Sequence, residues 1–186
     1  MKKTIYSKFD KKKITNLPIV QFPGRIITIV SETDADKAVD YLLSRDILGV
    51  DTETRPTFHK GEQHKVALLQ VASRDTCFLF RLNDIGMPAS IIRLLEDQTV
   101  PKIGLSWHSL HRRTEFTPGY FIDLQNVVGE IGIKDLSLQK LYANLFHQKI
   151  SKRQRLTNWE ADILNDKQKQ YAATDAWSCI KLYEEV

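Results

Sequence analysis

At 186 residues, 42% hydrophobic and 27% charged, the chain has the size and balance of one globular domain, which excludes a disordered or fibrous protein. Residues 1–13 hold six lysines and one aspartate, so the formal charge of +4 belongs to the amino-terminal stretch and the remainder sums to −1. No run approaches the roughly 18 apolar residues of a membrane span, and the early lysines are not followed by the apolar core of a secretory signal.

Residues 1–24 read as a basic, mobile N-terminal arm closed by "LPIVQFPG", with Pro18 and Pro23 as punctuation. "RIITIV" (25–30) reads as a strand. "SETDADKAVDYLLSR" reads as a helix capped by Ser31 or Thr33, with apolar positions at Ala38, Val39, Leu42 and Leu43. "ILGVDTET" is a central strand. "KVALLQVAS" (65–73) and "DTCFLFRL" (75–82) are strands joined by a short turn, hence an antiparallel hairpin. "MPASIIRLLED" (87–97) is a helix with Pro88 in its first turn. A strand over 100–106, a short helix over 107–116, a strand "YFIDL" and a helix "LQNVVGEIG" follow. "DLSLQKLYANLF" (135–146) has helical spacing with Ser137 near its start, "SKRQRL" is a basic loop, and residues 165–185 form a long amphipathic helix. Early strands with helices interleaved and then dominant imply an α/β domain, a mixed sheet flanked by helices. Cys77 and Cys179 lie in apolar segments without CxxC spacing; they read as buried free thiols in a reducing cytoplasm rather than as a disulfide or zinc site.

Two patterns carry chemistry. Asp51 and Glu53, two apart at the end of the central strand, point to the same face, where mutual repulsion disfavours charging both. Tyr171 and Asp175, four apart near the end of the chain, share one helix face. Either pattern is common by itself, and the bland alternatives are a solvated strand end and an ordinary helix face. Context favours function: sheets present ligands at the ends of central strands, and Asp175 sits among Ala172, Ala173, Ala176 and Trp177, poor company for an idle charge. Clustered carboxylates without thiols or histidines at ligand spacing suit hard cations, Mg²⁺ or Mn²⁺. Two such ions would activate water and stabilise the leaving oxygen in phosphodiester cleavage, while a phenol orients the water. That is nuclease chemistry.

"VDTET", "VALLQVA", "CFLFRL" and "RLTNWEADILNDKQKQYAATDAWSCIKLYEE" resemble the DEDDy 3′–5′ exonucleases, nearest the ribonuclease D and Werner-syndrome exonuclease branch. The resemblance covers residues 25–186 and implies a ribonuclease H-like sheet of five to six strands. It also implies two-ion removal of 3′-terminal nucleotides from DNA or RNA, with Asp51, Glu53 and Asp175 as metal ligands and Tyr171 positioning the attacking water. The chain departs from the family in the second motif. "PKIGLSWHSLHRRTEF" has no acid between Pro101 and Arg113, and a few residues of the family's spacing are absent between Ser106 and Trp107. His108 is a poor substitute because imidazole suits softer metals; Glu115 comes two turns late, and Asp123 matches a position that is usually structural. The alternative is therefore a catalytically impaired exonuclease fold that binds or scaffolds nucleic acid.

The loop after the first motif offers Arg55, Phe58, His59, Lys60 and Lys65, read either as phosphate and base contacts to a single-stranded 3′ end or as a solvated loop. His108, His111, Arg112 and Arg113 make a basic surface. Trp159 and Trp177 read as core, and the arm lysines as a solvated tail or a non-specific nucleic-acid contact.

Overall fold

In the computed structural model, which describes residues 2–105 and 107–186, the described strands form one sheet. They are β1 (Arg25–Ile29), β2 (Leu48–Thr54), β3 (Val66–Ala72), β4 (Thr76–Arg81), β5 (Lys102–Gly104) and β6 (Phe121–Asp123). Their spatial order is β1–β4–β3–β2–β5–β6, with β3 antiparallel to both neighbours and every other pairing parallel. The expected hairpin is β3–β4. Helices α1 (Glu32–Leu43), α2 (Leu82–Ile85), α3 (Ala89–Glu96), α4 (Leu124–Glu130), α5 (Leu138–Phe146) and α6 (Asp166–Glu185) cover the sheet. No helix among the described residues is long and apolar enough to cross a membrane.

Period-two alternation along β2 sorts its residues between two cores. Leu48 and Val50 pack with Ala38, Val39 and Leu42 of α1 and Ile91, Leu94 and Leu95 of α3. Gly49 turns the other way, against the backbone of α6 at Ala176, and Asp51 and Glu53 share that face. On that side α6 brings Ala172, Ala173 and Ala176 against Ala67, Leu68, Ala72 and Leu79, with Trp159 fully buried beneath them. The small residues of α6 let a 20-residue helix lie close over the sheet.

Side-chain caps set the helix starts. Ser31, not Thr33, caps α1, its Oγ accepting from Asp34 N at 3.2 Å. Asn165 and Gln168 close a reciprocal capping box at the start of α6. Elsewhere the boundaries contract. Pro88 serves as the N-cap of α3, the expected strand over 100–106 pairs only at Lys102–Gly104, and the expected helix over 107–116 is a single 3-10 turn, His108–Arg112. Arg113 ends that turn by sending its guanidinium to the Val66 carbonyl at 2.6 Å and the Leu82 carbonyl at 3.3 Å. A short helix at Leu82–Ile85 went unread, because four residues show no period.

The N-terminal arm is packed rather than free. Phe9 and Ile14 are buried against Ala143 of α5, and the Asn144 amide binds the Tyr6 backbone in both directions, at 2.9 and 2.7 Å. Further along, Val20 N donates to the Lys149 carbonyl at 2.9 Å, and Lys149 N to the Pro18 carbonyl at 2.8 Å.

Candidate active site

β2 and α6 bring the two motifs face to face. One carboxylate oxygen from each of Asp51, Glu53 and Asp175 lies within 4.8 Å of the other two. Gln70 of β3, fully buried, sits beside them. In one orientation its amide donates to Glu53 Oε1 at 3.3 Å and to the Ala172 carbonyl at 3.4 Å; in the other it donates to the Leu68 and Asp51 carbonyls. Sequence reading passed over Gln70. The available signal was one amide inside the otherwise apolar "VALLQVA", since a buried polar group needs partners.

The electrostatics are those of crowded, desolvated acids. Burial pushes the Asp51 carboxyl up to about 7, against a hydrogen bond from Thr52 N at 2.8 Å. Burial, then the charges of Asp51 and Asp175, push Glu53 up to about 10. Asp175 is raised well above the carboxylate range by burial and then by Asp51, and the phenol of Tyr171 offsets part of the rise. Tyr171 is itself raised, first by burial and then by the three acids, so it stays a neutral hydrogen-bonding group. Its ring lies 6.0 Å from that of Trp159, which holds it in place. Three oxygen donors that repel one another when charged fit a hard divalent cation, which supplies the missing positive charge.

Asp51 and Asp175, but not Glu53, open into a cavity of 340 Å³ lined also by Leu105, Gln125, Leu136 to Gln139, Ile150 to Lys152, Tyr171 and Cys179. The loop candidates stand apart from this lining. Phe58 is 72% exposed, and His59, Lys60 and Lys65 are exposed. Arg55 is drawn to Glu160 at 3.6 Å, and Glu160 also lies 3.3 Å from His64. The second-motif junction begins at Ser106, which lies outside the described residues. Among the described residues no fourth acid joins the cluster. Asp123 caps α4 by accepting from Gln125 N at 2.9 Å, a structural role, and His108 is exposed, its ring 4.7 Å from that of Trp107.

The profile of the 3′–5′ exonuclease family matches residues 26–186. The chain belongs to this family. It is 32% identical to a 3′–5′ exonuclease of Arabidopsis thaliana, an alignment covering 97% of this chain and 70% of the plant protein. It is 28% identical to the mouse bifunctional 3′–5′ exonuclease/ATP-dependent helicase WRN, over 92% of this chain and 13% of that one. Among solved structures, the fold is similar to that of Escherichia coli RNase D, with a TM-score of 0.75, 18% identity and coverage of 87% of this chain and 44% of that one. The fold of this exonuclease-family domain is thus ribonuclease H-like, with six strands where five to six were expected. The comparisons support a nuclease and leave the identity of the metal, and the role of each residue, to the chemistry of the site.

Proposed function

We propose that this domain removes 3′-terminal nucleotides from DNA or RNA, with Asp51, Glu53 and Asp175 holding two Mg²⁺ or Mn²⁺ ions. The observation that carries the reading is the convergence of these three acids, from two distant segments, into one cluster, of which Asp51 and Asp175 line a cavity beside Tyr171. Bound there, the ions supply charge neutralisation and activation of water for attack on phosphorus. The chain's own residues do the rest. The Tyr171 hydroxyl, kept neutral by its surroundings, orients the attacking water by hydrogen bonding. In the orientation that donates to Glu53 Oε1, Gln70 limits the freedom of that carboxylate. Lys152, in the cavity wall, offers its ammonium to a phosphate oxygen. The exposed loop residues Arg55, Phe58, His59, Lys60 and Lys65 are proposed as outer contacts to the single strand. Two buried free thiols suit a cytoplasmic setting.

The test is the shortening of a 5′-labelled single-stranded oligonucleotide in Mn²⁺. We expect one-nucleotide steps from the 3′ end with the native chain and none with Asp51→Asn. Undiminished shortening by the variant would sink the site assignment. A native chain that binds the strand and leaves it intact would turn the reading to a binding domain.

A further inference from the structure

We propose that the docked N-terminal arm forms the outer part of the nucleic-acid path, so that a strand leaving the carboxylate cavity runs past Lys152 and Lys140 to Lys11. The proposal rests on the exonuclease reading of the cavity and adds a segment outside the 26–186 family match.

The arm's own anchors create the surface. Phe9 and Ile14 face inward onto Ala143, which leaves the intervening Lys11, Lys12 and Lys13 on the outer side of a 3-10 turn, all exposed. Asp10 is spent in capping that turn, accepting from Lys12 N at 3.0 Å. The arm is tied down on both sides of the turn. Phe9 N donates to Asp135 Oδ2 and Lys134 N to the Ser7 carbonyl, each at 2.7 Å, and Lys149 Nζ donates to the Thr15 carbonyl at 2.7 Å. A free lysine-rich tail would lose much entropy on holding a strand; these lysines are already positioned.

The same contacts seat the arm on α5, whose first residues line the cavity. Residues three and four apart share a helix face, so Lys140 lies on the side of α5 where the arm covers Ala143 and Asn144. Lys140 also sits immediately after the segment Leu136 to Gln139 that lines the cavity. Asp135 joins the two parts, bound by Phe9 N and 3.8 Å from Lys140 Nζ. On the other side the arm runs beside Lys149, three residues before Lys152. The positive charges converge. Burial first, then Arg155, Lys11 and Lys140, hold the Lys152 ammonium below the ordinary lysine range, while Asp175 acts the other way. Lys11, Lys152 and Arg155 form no ion pair among the described residues. Cations gathered beside a cavity, of which only Lys140 engages an acid, suit a polyanion with regularly spaced charges.

The test measures binding of a fluorescein-labelled 12-nucleotide single strand in EDTA, where it is not consumed, across a salt series. Lys11→Glu should weaken binding at least fivefold at low salt and flatten the salt slope by about 0.7, the share of one phosphate contact on a single strand. Lys37→Glu makes the same charge change at an exposed position on α1 and should stay within twofold of the native chain. Phe9→Ala keeps every lysine, removes the anchor and should weaken the 12-mer as Lys11→Glu does. Equal binding by Lys11→Glu and Lys37→Glu overturns the path. So does native affinity in Phe9→Ala, or a dinucleotide weakened by Lys11→Glu as much as the 12-mer. Shortening in Mn²⁺ reports the exonuclease reading separately: a chain that shortens strands and ignores Lys11 refutes the path alone.

Discussion

Gly49→Ala is the sharpest test of how the fold sets the site. Gly49 precedes Asp51 by two residues on the same face of β2. A Cβ built there would lie 1.9 Å from the Ala176 carbonyl oxygen, 2.9 Å from its carbon and 3.3 Å from Ile180 Cγ1. The first contact falls about 1.5 Å short of the 3.4 Å at which ordinary contact begins. Because the obstacle is helix backbone, relief requires α6 to move away from β2. Overpacking of this kind costs about 1–3 kcal/mol, and for a domain of this size each kcal/mol lowers the melting temperature by about 2–4 °C. Asp175 adjoins Ala176, so the same retreat draws it away from Asp51 and Glu53. A displacement of about 1 Å in a catalytic group costs on the order of 100-fold in rate. We therefore expect Gly49→Ala to remain folded by circular dichroism, to melt several degrees lower and to shorten the labelled strand about 100-fold more slowly. Gly129→Ala is the control. Nothing lies within 4 Å of a Cβ at that helical position, so stability should hold or rise by about 0.5–1 kcal/mol. If Gly49→Ala shortens the strand at the native rate with an unchanged melting temperature, α6 does not fix Asp175 against β2 and the reasoning fails.

Two further outcomes follow from the site. Tyr171→Phe keeps the ring against Trp159 and removes only the hydroxyl; stability should change by less than about 1 kcal/mol while the shortening rate drops about 100-fold. An unaltered rate would remove Tyr171 from water positioning. For Glu53, burial and then the neighbouring acids raise the folded carboxyl to about 10 from the ordinary 4.5. Across that interval the folded chain keeps a proton that the unfolded chain releases, so the metal-free protein loses stability as pH rises from about 4.5. Glu53→Gln cannot ionise, so in EDTA its melting temperature should fall less between pH 5 and 8.5 than that of the native chain. Mn²⁺ should raise the native melting temperature and leave the variant's nearly unchanged. Superimposable pH curves for the two proteins would show that Glu53 is not desolvated as argued.

What could be read from the sequence depended on the range of the signal. Asp51 and Glu53 were legible as a pair because strand alternation operates over two residues, and Tyr171 with Asp175 because a helical turn spans four. That the pairs meet across β2 and α6 required the resemblance, since no local pattern links residues so far apart. Lys11, Lys140 and Lys152 have no mutual spacing at all; their juxtaposition arises only when Phe9 and Ile14 seat the arm on α5, an event the lysine-rich composition of the arm concealed. Their arrangement also argues against a purely structural role for the acids. Lys152 lines the same cavity as Asp51 and Asp175, and a stability device would close it onto Asp175 as an ion pair. No such pair forms within 4.0 Å among the described residues. Asp51, Asp175 and Lys152 line one cavity with no ion pair between the acids and the ammonium among the described residues. A phosphodiester accompanied by divalent cations would satisfy both groups at once, the cations against the carboxylates and the phosphate oxygens against the lysine.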